Sequence, residues 1–197
     1  MLSGENLEVA WREFEKEIGL AVEFLELAEL KEIRGEARRL RLLPMIRDEA
    51  GPIRKAIKEF ADTLYSMSLP LLLVFCVSCL EKFLRRLWLL KFGSIDREMW
   101  RIFSDPKDLA KEIKRRYGIE IGEATFKARS VVAKRHIILH NNGVVDEKAL
   151  EAFMEAGERD LKLNQKLRSS ANEVRRDIEK LLEFAKKVKE ALESSQS

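Results

Sequence analysis

Apolar residues recur every three to four positions along most of this chain, and that spacing is the period of an amphipathic α-helix. Thr and Tyr, which favour strands, each occur only twice among the 197 residues, whereas Glu, Lys, Arg, Leu and Ala are abundant. A sheet-rich fold is therefore disfavoured, and the sequence predicts an all-α protein. The apolar stripe is clearest in the last expected helix, at about 169–193, where it consists of Val174, Ile178, Leu181, Leu182, Ala185 and Val188.

Proline, glycine and capping residues divide the chain into about seven helical segments. The first is expected from about residue 5 into the 20s, and it either ends there or continues through a charged stretch to Leu43. Pro52 and Pro70 each suit a first helical turn, so two separate helices are expected here, the second being a buried central helix at about 71–92. Further helices are expected at 96–103, 106–117, 123–140 and 146–156, with an extended segment at 157–165.

These segments show no internal repeat and no low-complexity linker, which favours one helical bundle of about five main helices plus short helices. Residues 1–50 are predicted to form an N-terminal helical extension, packed on or flanking a bundle formed by residues 51–197. Within the bundle, Asp105 and Asp146 are expected to be N-caps, and Gly118 is expected to end a helix.

Charge, cysteine content and hydropathy restrict the class of protein further. The chain has 37 Lys and Arg against 34 Asp and Glu, a net charge of only +3, which excludes a strongly electrostatic, histone-like binder. Two cysteines make no disulfide scaffold, and no cleavable signal precedes the charged start. The longest apolar stretch, 69–80, is too short to span a bilayer. We therefore expect a cytoplasmic protein with no membrane partner.

The helix expected at 123–140 carries the pattern that points to function. On a helical wheel at about 100° per residue, Arg135 falls in the middle of an apolar arc of roughly 120° that a bundle helix should bury. A guanidinium there is costly unless it is paired, and residues that break an apolar pattern in this way concentrate at functional sites. Arg129 and the only two histidines of the chain, His136 and His140, lie at the border of this arc. The apolar arc consists of Ala124, Ala128, Val131, Val132, Ile138 and Leu139.

Arg135 also admits a purely structural interpretation. Glu81, on the expected central helix, falls toward the edge of that helix's apolar arc and is a suitable partner for Arg135. The pair would satisfy both charges, and it would serve a structural role or a positioning role equally well. In the structural interpretation His140 is an ordinary polar residue near a helix end.

The run 135–140 reads Arg-His-Ile-Ile-Leu-His and is followed by Asn141-Asn142-Gly143. It resembles the signature helix of the HEPN superfamily (higher eukaryotes and prokaryotes nucleotide-binding), in which a His follows an Arg after about four to six residues. A polar residue commonly follows that Arg, and here it is His136. Residues 80–85, Leu-Glu-Lys-Phe-Leu-Arg, and residues 157–163, Gly-Glu-Arg-Asp-Leu-Lys-Leu, are also similar to segments of that superfamily. The resemblance covers roughly residues 52–188.

The resemblance implies an all-helical, metal-independent endoribonuclease without a cofactor, acting as a homodimer whose two motif helices face each other. His140 would act as general base or acid on the ribose 2′-hydroxyl or the leaving 5′-oxygen, because an imidazole transfers protons readily near neutral pH. Arg135 would bind the scissile phosphate and stabilise the charge that grows on it. His136 and Asn141 would be positioning residues, together with Glu81.

The resemblance also implies RNA as the substrate and a role in defence, stress response or a toxin–antitoxin pair, with an antitoxin or regulatory protein as a further partner. Toxin-type members often carry a Tyr two residues after the His, as a target of nucleotide modification. This chain has Asn142 there, so that form of control is not expected. The alternative, from a different class of protein, is a non-catalytic HEPN-like helical module that dimerises or binds a partner through its apolar faces.

Two further patterns admit both a functional and a structural interpretation. Cys76 and Cys79, taken with the two histidines, are zinc-ligand types, but cysteines inside an apolar helix are more typical of core packing, and no metal is expected. A basic helix edge beside Tyr117 would either bind RNA phosphates or be solvated and paired with acidic neighbours, and the second interpretation is favoured. The candidates for RNA binding are Lys111, Lys114, Arg115 and Arg129.

Overall fold

The computed structural model of the chain describes residues 4–29 and 50–194. These residues form seven α-helices and, within the same ranges, no β-strand beyond one isolated bridge between Val144 and Lys166. The predicted all-α class is therefore confirmed. The helices are α1 (Gly4–Glu29), α2 (Ala50–Phe92), α3 (Arg97–Ile102), α4 (Pro106–Tyr117), α5 (Glu123–His140), α6 (Glu147–Glu155) and α7 (Ala171–Ser194).

Three long helices, α1, α2 and α7, pack against one another and build the main core. Phe14 of α1 stacks on Phe83 of α2 with ring centroids 4.5 Å apart, and Trp11 packs edge-on against the same ring. An ion pair between Glu17 and Lys82 joins the two helices at the surface. Helix α1 thus contributes to the same core as the rest of the bundle, while the expected continuation of this helix beyond residue 29 lies outside the described residues.

Helix α2 runs without interruption through Pro70, so the prediction of two separate helices beginning at Pro52 and Pro70 was wrong. A proline in a helix interior removes one backbone hydrogen bond and costs about 3 kcal/mol. Leu69 and Leu73, on either side of Pro70, are almost fully buried in the main core. Burial of each leucine stabilises by roughly 1.5–3 kcal/mol, so the packing of this region outweighs the cost of the proline.

The same helix contains the most apolar part of the described chain. Residues Met67–Phe92 are long and apolar enough, by length and composition alone, to cross a membrane, with a mean hydropathy of 1.8 in the most apolar window. The apolar stretch noted in the sequence, 69–80, is shorter because it stops before the charged residues Glu81 and Lys82. The longer segment includes both charges and still reaches this hydropathy. Half of that window is buried inside the bundle. The expectation that the protein has no membrane partner stays a prediction.

The shorter helices begin and end at the residues expected from the sequence. The Asp105 carboxylate accepts the amide of Lys107 at 2.9 Å and caps α4, which ends at Gly118 with φ 69°. Asp146 caps α6 in the same way by accepting the amide of Ala149 at 2.8 Å. These caps satisfy amides that have no partner inside a helix.

The turn after α5 is fixed by backbone hydrogen bonds to the segment that precedes α7. Asn142 and Gly143 have φ values of 51° and 76°, which is the left-handed region expected of Gly143. The amide of Leu167 donates to the carbonyl of Gly143 at 2.7 Å, and the amide of Val145 donates to that of Gln165 at 2.9 Å. Next to this turn, Ile137, Val145, Ala149 and Phe153 form a small second core. The last turn of α5, which carries His140, is therefore held from two sides.

Candidate functional site

Helix α5 buries a face that is rotated from the one predicted. Leu139, expected in the core, is 46% exposed, and the buried cation of the helix is Lys134, only 8% exposed, rather than Arg135. Val131 and Ile137 are fully buried. The helical wheel assigned the buried face to the side with the most apolar residues. In the structure α2, α6 and α7 all pack on α5, and they cover the side that carries Lys134 and Ile137.

Lys134 belongs to a buried charge cluster that ties α5 to α7. Its Nζ donates to both carboxylate oxygens of Asp177 at 3.0 Å and lies 3.3 Å from Oε2 of Glu158. Lys180 contacts the same two carboxylates, and Ser130 donates to Oε1 of Glu158 at 3.0 Å. Burial raises the pKa of Glu158, but the lysine charges and their hydrogen bonds outweigh that effect and hold the pKa below its ordinary value of 4.5. This cluster is complete within the chain.

The sequence contains a signal for this cluster in the last helix. Asp177 falls three residues after Val174, directly on the apolar stripe of the last helix, and is only 3% exposed. A carboxylate in that position requires a buried cation on a neighbouring helix. Glu158, the second acidic member, lies in the segment that resembles the superfamily.

Arg135 lies beside Glu81, as expected, but the two side chains are not hydrogen-bonded. Nη1 of Arg135 is 3.8 Å from Oε1 of Glu81, which is beyond hydrogen-bonding distance, and Oε2 of Glu81 is 3.5 Å from Nη2 of Arg85. Within the described part of the chain, Nε of Arg135 and Oε1 of Glu81 are buried and make no hydrogen bond. The Arg135 side chain is 26% exposed. The guanidinium is therefore oriented by a charge, while its Nε donor stays unused among the residues that the structure describes.

The two histidines form a contacting pair on the outer side of α5. The ring centroids of His136 and His140 are 4.8 Å apart with the rings tilted by 47°, and both residues are exposed. In the described ranges neither imidazole makes a hydrogen bond, and no group of three or more His, Cys, Asp and Glu side chains is arranged to hold a metal ion. Two imidazoles fall short of the three or four protein ligands of a usual zinc site.

An open groove of about 200 Å³ lies between the start of α4, the outer face of α5 and α6. Arg135 and His136 line it, but His140 does not. The other lining residues are Ser104, Asp105, Arg129, Val132, Ala133, Lys148, Ala149 and Ala152.

Asn141 connects the end of the histidine helix to the next helix. Its Nδ2 donates to Oδ2 of Asp146 at 2.6 Å, and Oδ1 of the same carboxylate caps α6. Asn141 therefore fixes how α6 begins relative to His140, which is a positioning arrangement.

The candidate RNA-binding cations all have acidic partners in this chain. Arg129 pairs with Glu155 and lies 3.7 Å from Glu151. The ring of Tyr117 stacks on that of Phe92, with centroids 6.2 Å apart. The remaining pairs are Lys111 with Asp108, Lys114 with Glu120, and Arg115 with Glu112. Compensated charges of this kind attract a polyanion less than free cations do.

Cys76 and Cys79 are free and buried in the main core, which confirms the core-packing interpretation. Burial raises the pKa of the Cys76 thiol to about 12, and burial together with the nearby Glu17 carboxylate raises that of Cys79 to about 11. Thiols in this state are poor nucleophiles and poor metal ligands at neutral pH.

One chain does not bring Arg135 and His140 together. They are five residues apart on α5, which separates them by about 7.5 Å along the helix and about 140° around it. Arg135 points to Glu81 and the groove, while His140 is exposed at the last turn. The two side chains therefore diverge on this helix.

The chain has no significant match to any protein-family model, curated protein or solved structure. The assignment of a function therefore depends on the residues of the site and on the resemblance of its sequence motif.

Proposed function

We propose that this protein is a metal-independent endoribonuclease that cleaves RNA by attack of a ribose 2′-hydroxyl on the adjacent phosphate. The observation that supports this proposal most directly is the state of Arg135. The neighbouring Lys134 uses its ammonium group in the buried charge cluster, whereas Arg135 lies 3.8 Å from Glu81 without a hydrogen bond and lines an open groove. An arginine in this state is suited to binding a phosphate through two parallel hydrogen bonds.

His140 is the candidate for proton transfer. Its imidazole is exposed at the last turn of α5, on a backbone that the neighbouring turn and the small second core hold in place. In the reaction a bond forms between the 2′-oxygen and phosphorus while the bond from phosphorus to the 5′-oxygen breaks. A base removes the 2′-proton, an acid supplies a proton to the leaving oxygen, and the products are a 2′,3′-cyclic phosphate and a 5′-hydroxyl. Neither step requires a metal ion.

The proposal includes a homodimer, because Arg135 and His140 diverge on a single helix. Two α5 helices that face each other across a two-fold axis would place His140 of one copy near the partner's Arg135. His136, which contacts His140, and Asn141, which ties the helix end to α6, would keep the imidazole in position. An antitoxin or regulatory protein that covers this cleft would control activity in a cytoplasmic setting.

The first test is cleavage of mixed-sequence RNA by the full chain in the presence of a metal chelator. We expect products with 2′,3′-cyclic phosphate ends, and a loss of cutting of at least about a hundredfold in Arg135→Ala and in His140→Ala. Lys186→Ala, a change at an exposed residue of α7 that does not line the groove, is the control and should cut as the unmodified chain does. Circular dichroism and thermal melting must show that all three variants are folded. A well-folded dimer that leaves every RNA intact would refute the proposal.

A second candidate function, a non-catalytic interaction module, is favoured by an apolar stripe on α2. Met67, Leu71 and Phe75 lie on one side of the helix at intervals of four residues and are 60%, 61% and 44% exposed. Contiguous exposed apolar surface often marks a contact with another protein. In this function Phe75→Asp abolishes association in analytical ultracentrifugation, whereas His140→Ala changes nothing. If the protein is an endoribonuclease, His140→Ala abolishes cleavage of RNA, whereas Phe75→Asp does not.

A further inference from the structure

We infer that the groove between α4, α5 and α6 binds the phosphate adjacent to the scissile phosphate of the RNA strand, with Lys148 as its principal cation. This inference rests on the proposed function and adds a substrate-binding residue that neither the sequence motif nor the resemblance identifies. Three features support the inference: the size of the groove, the charges that line it, and its position relative to the two histidines.

The size of the groove suits one phosphodiester group. Its volume of about 200 Å³ is below the roughly 300–1,000 Å³ of clefts that enclose a drug-sized ligand. Three of the lining residues are alanines, namely Ala133 of α5 with Ala149 and Ala152 of α6. Their short side chains leave room for an anion to approach the cations that also line the groove.

The charges that line the groove are unequally compensated. Arg129 is neutralised by Glu155, but Lys148 has no acidic partner within the ranges that the structure describes, and Arg135 keeps unused donors. The one carboxylate in the lining belongs to Asp105, whose Oδ1 accepts the amide of Lys107 at the start of α4. Because Arg135 is the residue proposed to bind the scissile phosphate, a neighbouring phosphate in the groove would meet one available cation, Lys148, and one partly occupied carboxylate.

The position of the groove connects it to the proposed reaction. His136 lines the groove and its ring contacts that of His140, so the groove leads along α5 toward the proposed catalytic imidazole. Lys148 stands in the first turn of α6, and the hydrogen bond from Asn141 to Asp146 fixes where that turn begins. A strand that is cut at His140 would continue past His136 and place a neighbouring phosphate beside Lys148.

The test measures binding separately from cleavage. The probe is a single-stranded 2′-O-methyl oligonucleotide of mixed sequence, which lacks the attacking hydroxyl and cannot be cut. We expect Lys148→Glu to weaken binding about tenfold and to reduce the salt dependence of binding by about one charge, because one phosphate contact is lost. Asp105→Asn, which retains a capping side chain, should tighten binding about two- to threefold. The control is Lys186→Glu on α7, an exposed lysine that does not line the groove.

The outcomes separate this inference from the proposed function. If Lys148→Glu and Lys186→Glu weaken binding equally, or neither does, the groove is not a phosphate site and the inference is wrong even where His140 proves necessary for cutting. If binding depends on Lys148 but unmodified RNA is never cut, the groove is a phosphate site and the endoribonuclease proposal is wrong. If the probe does not bind the folded full chain at all, both are wrong.

A second inference rests on a different observation, the exposure of Trp100. This indole on α3 is 50% exposed, and the guanidinium of Arg85 lies 4.5 Å from its ring centroid. Arg85 in turn pairs with Glu81, the residue that orients Arg135. We propose that Trp100 is a platform on which an RNA base stacks, since exposed aromatic rings, with cation–π contacts from arginine, are a recurring feature of proteins that bind single-stranded nucleic acid.

The same oligonucleotide tests this platform. Trp100→Ala should weaken binding about tenfold, and Trp100→Phe, which retains an aromatic face, should restore most of it. Leu89→Ala, at an exposed apolar residue of α2, is the control. Equal binding by Trp100→Ala and the unmodified chain would refute the platform, and a folded Trp100→Phe that binds as weakly as Trp100→Ala would also refute it.

Discussion

Adjacent residues on α5, Lys134 and Arg135, are expected to respond very differently to the same substitution. Lys134→Met keeps the length of the aliphatic stem and removes the ammonium group, so that the change is one of charge rather than of volume. It breaks two hydrogen bonds of 3.0 Å to Asp177 and a contact of 3.3 Å to Glu158. Asp177, which is 3% exposed, is then left with Lys180 at 3.2 Å.

The magnitude follows from that arrangement. Removal of one partner from a buried ion pair costs about 3–5 kcal/mol, and the remaining Lys180 places this case near 3 kcal/mol. For a domain of this size that corresponds to a fall in Tm of roughly 6–12 °C. Arg135→Met should cost below about 1 kcal/mol, since its ion pair with Glu81 is 3.8 Å long and partly exposed, and Glu81 keeps Arg85 nearby.

Urea denaturation followed by far-ultraviolet circular dichroism measures both effects. In a double-mutant cycle, Asp177→Asn should cost less in the Lys134→Met background than alone, because the carboxylate has already lost its main partner. Equal destabilisation by Lys134→Met and Arg135→Met would refute the claim that Lys134 is a structural cation and that Arg135 is available to bind a ligand. Greater destabilisation by Arg135→Met would show that the arginine is a structural residue.

Three other predictions concern parts of the fold outside the site. A hydrogen bond from Arg115 lowers the pKa of Glu112 to about 2; burial opposes this effect, and a second hydrogen bond from Arg116 adds to it. The contribution of the ionised Glu112 to stability is therefore present above about pH 4.5 and is lost as the pH falls toward 2. The difference in urea stability between Glu112→Gln and the unmodified chain should therefore narrow over that range, and a constant difference would contradict this. Because the thiol pKa values are about 12 and 11, Cys76 and Cys79 should react with a thiol reagent only after unfolding, and fast labelling of the native protein would be inconsistent with their burial. Pro70→Ala should raise the free energy of unfolding by about 2 kcal/mol, because α2 regains a hydrogen bond while the unfolded chain gains some freedom, and a loss of stability would indicate a helix break at Pro70.

Helix boundaries marked by local chemistry could be predicted from the sequence. The ends of α4 follow from the Asp105 cap, Pro106 in the first turn and Gly118 in the left-handed region, all of which act within a few residues. The Asp146 cap fixes the start of α6 in the same way. The prediction of a helix start at Pro70 was wrong because the packing of α2 against α1 and α7, which the sequence does not display, overrides the local preference of proline for a first turn.

Some contacts around the candidate site could be predicted from the sequence, and others could not. The proximity of Glu81 to Arg135 was expected from the sequence, whereas the burial of Lys134 depends on which sides of α5 its neighbours cover. Lys148 had no sequence signal, since a lysine in the first turn of a short helix is ordinary. Its significance comes only from the groove that it shares with Arg135 and His136.

The most direct test of the central claim is a mixture of two inactive variants. Arg135→Ala and His140→Ala homodimers are mixed and allowed to exchange subunits, and cleavage of RNA is measured. If the site combines Arg135 of one copy with His140 of the other, half of the dimers are mixed and each holds one intact site, so about a quarter of the unmodified activity should return. If activity stays at the level of the separate variants after exchange has been verified, the composite site at a dimer axis is wrong.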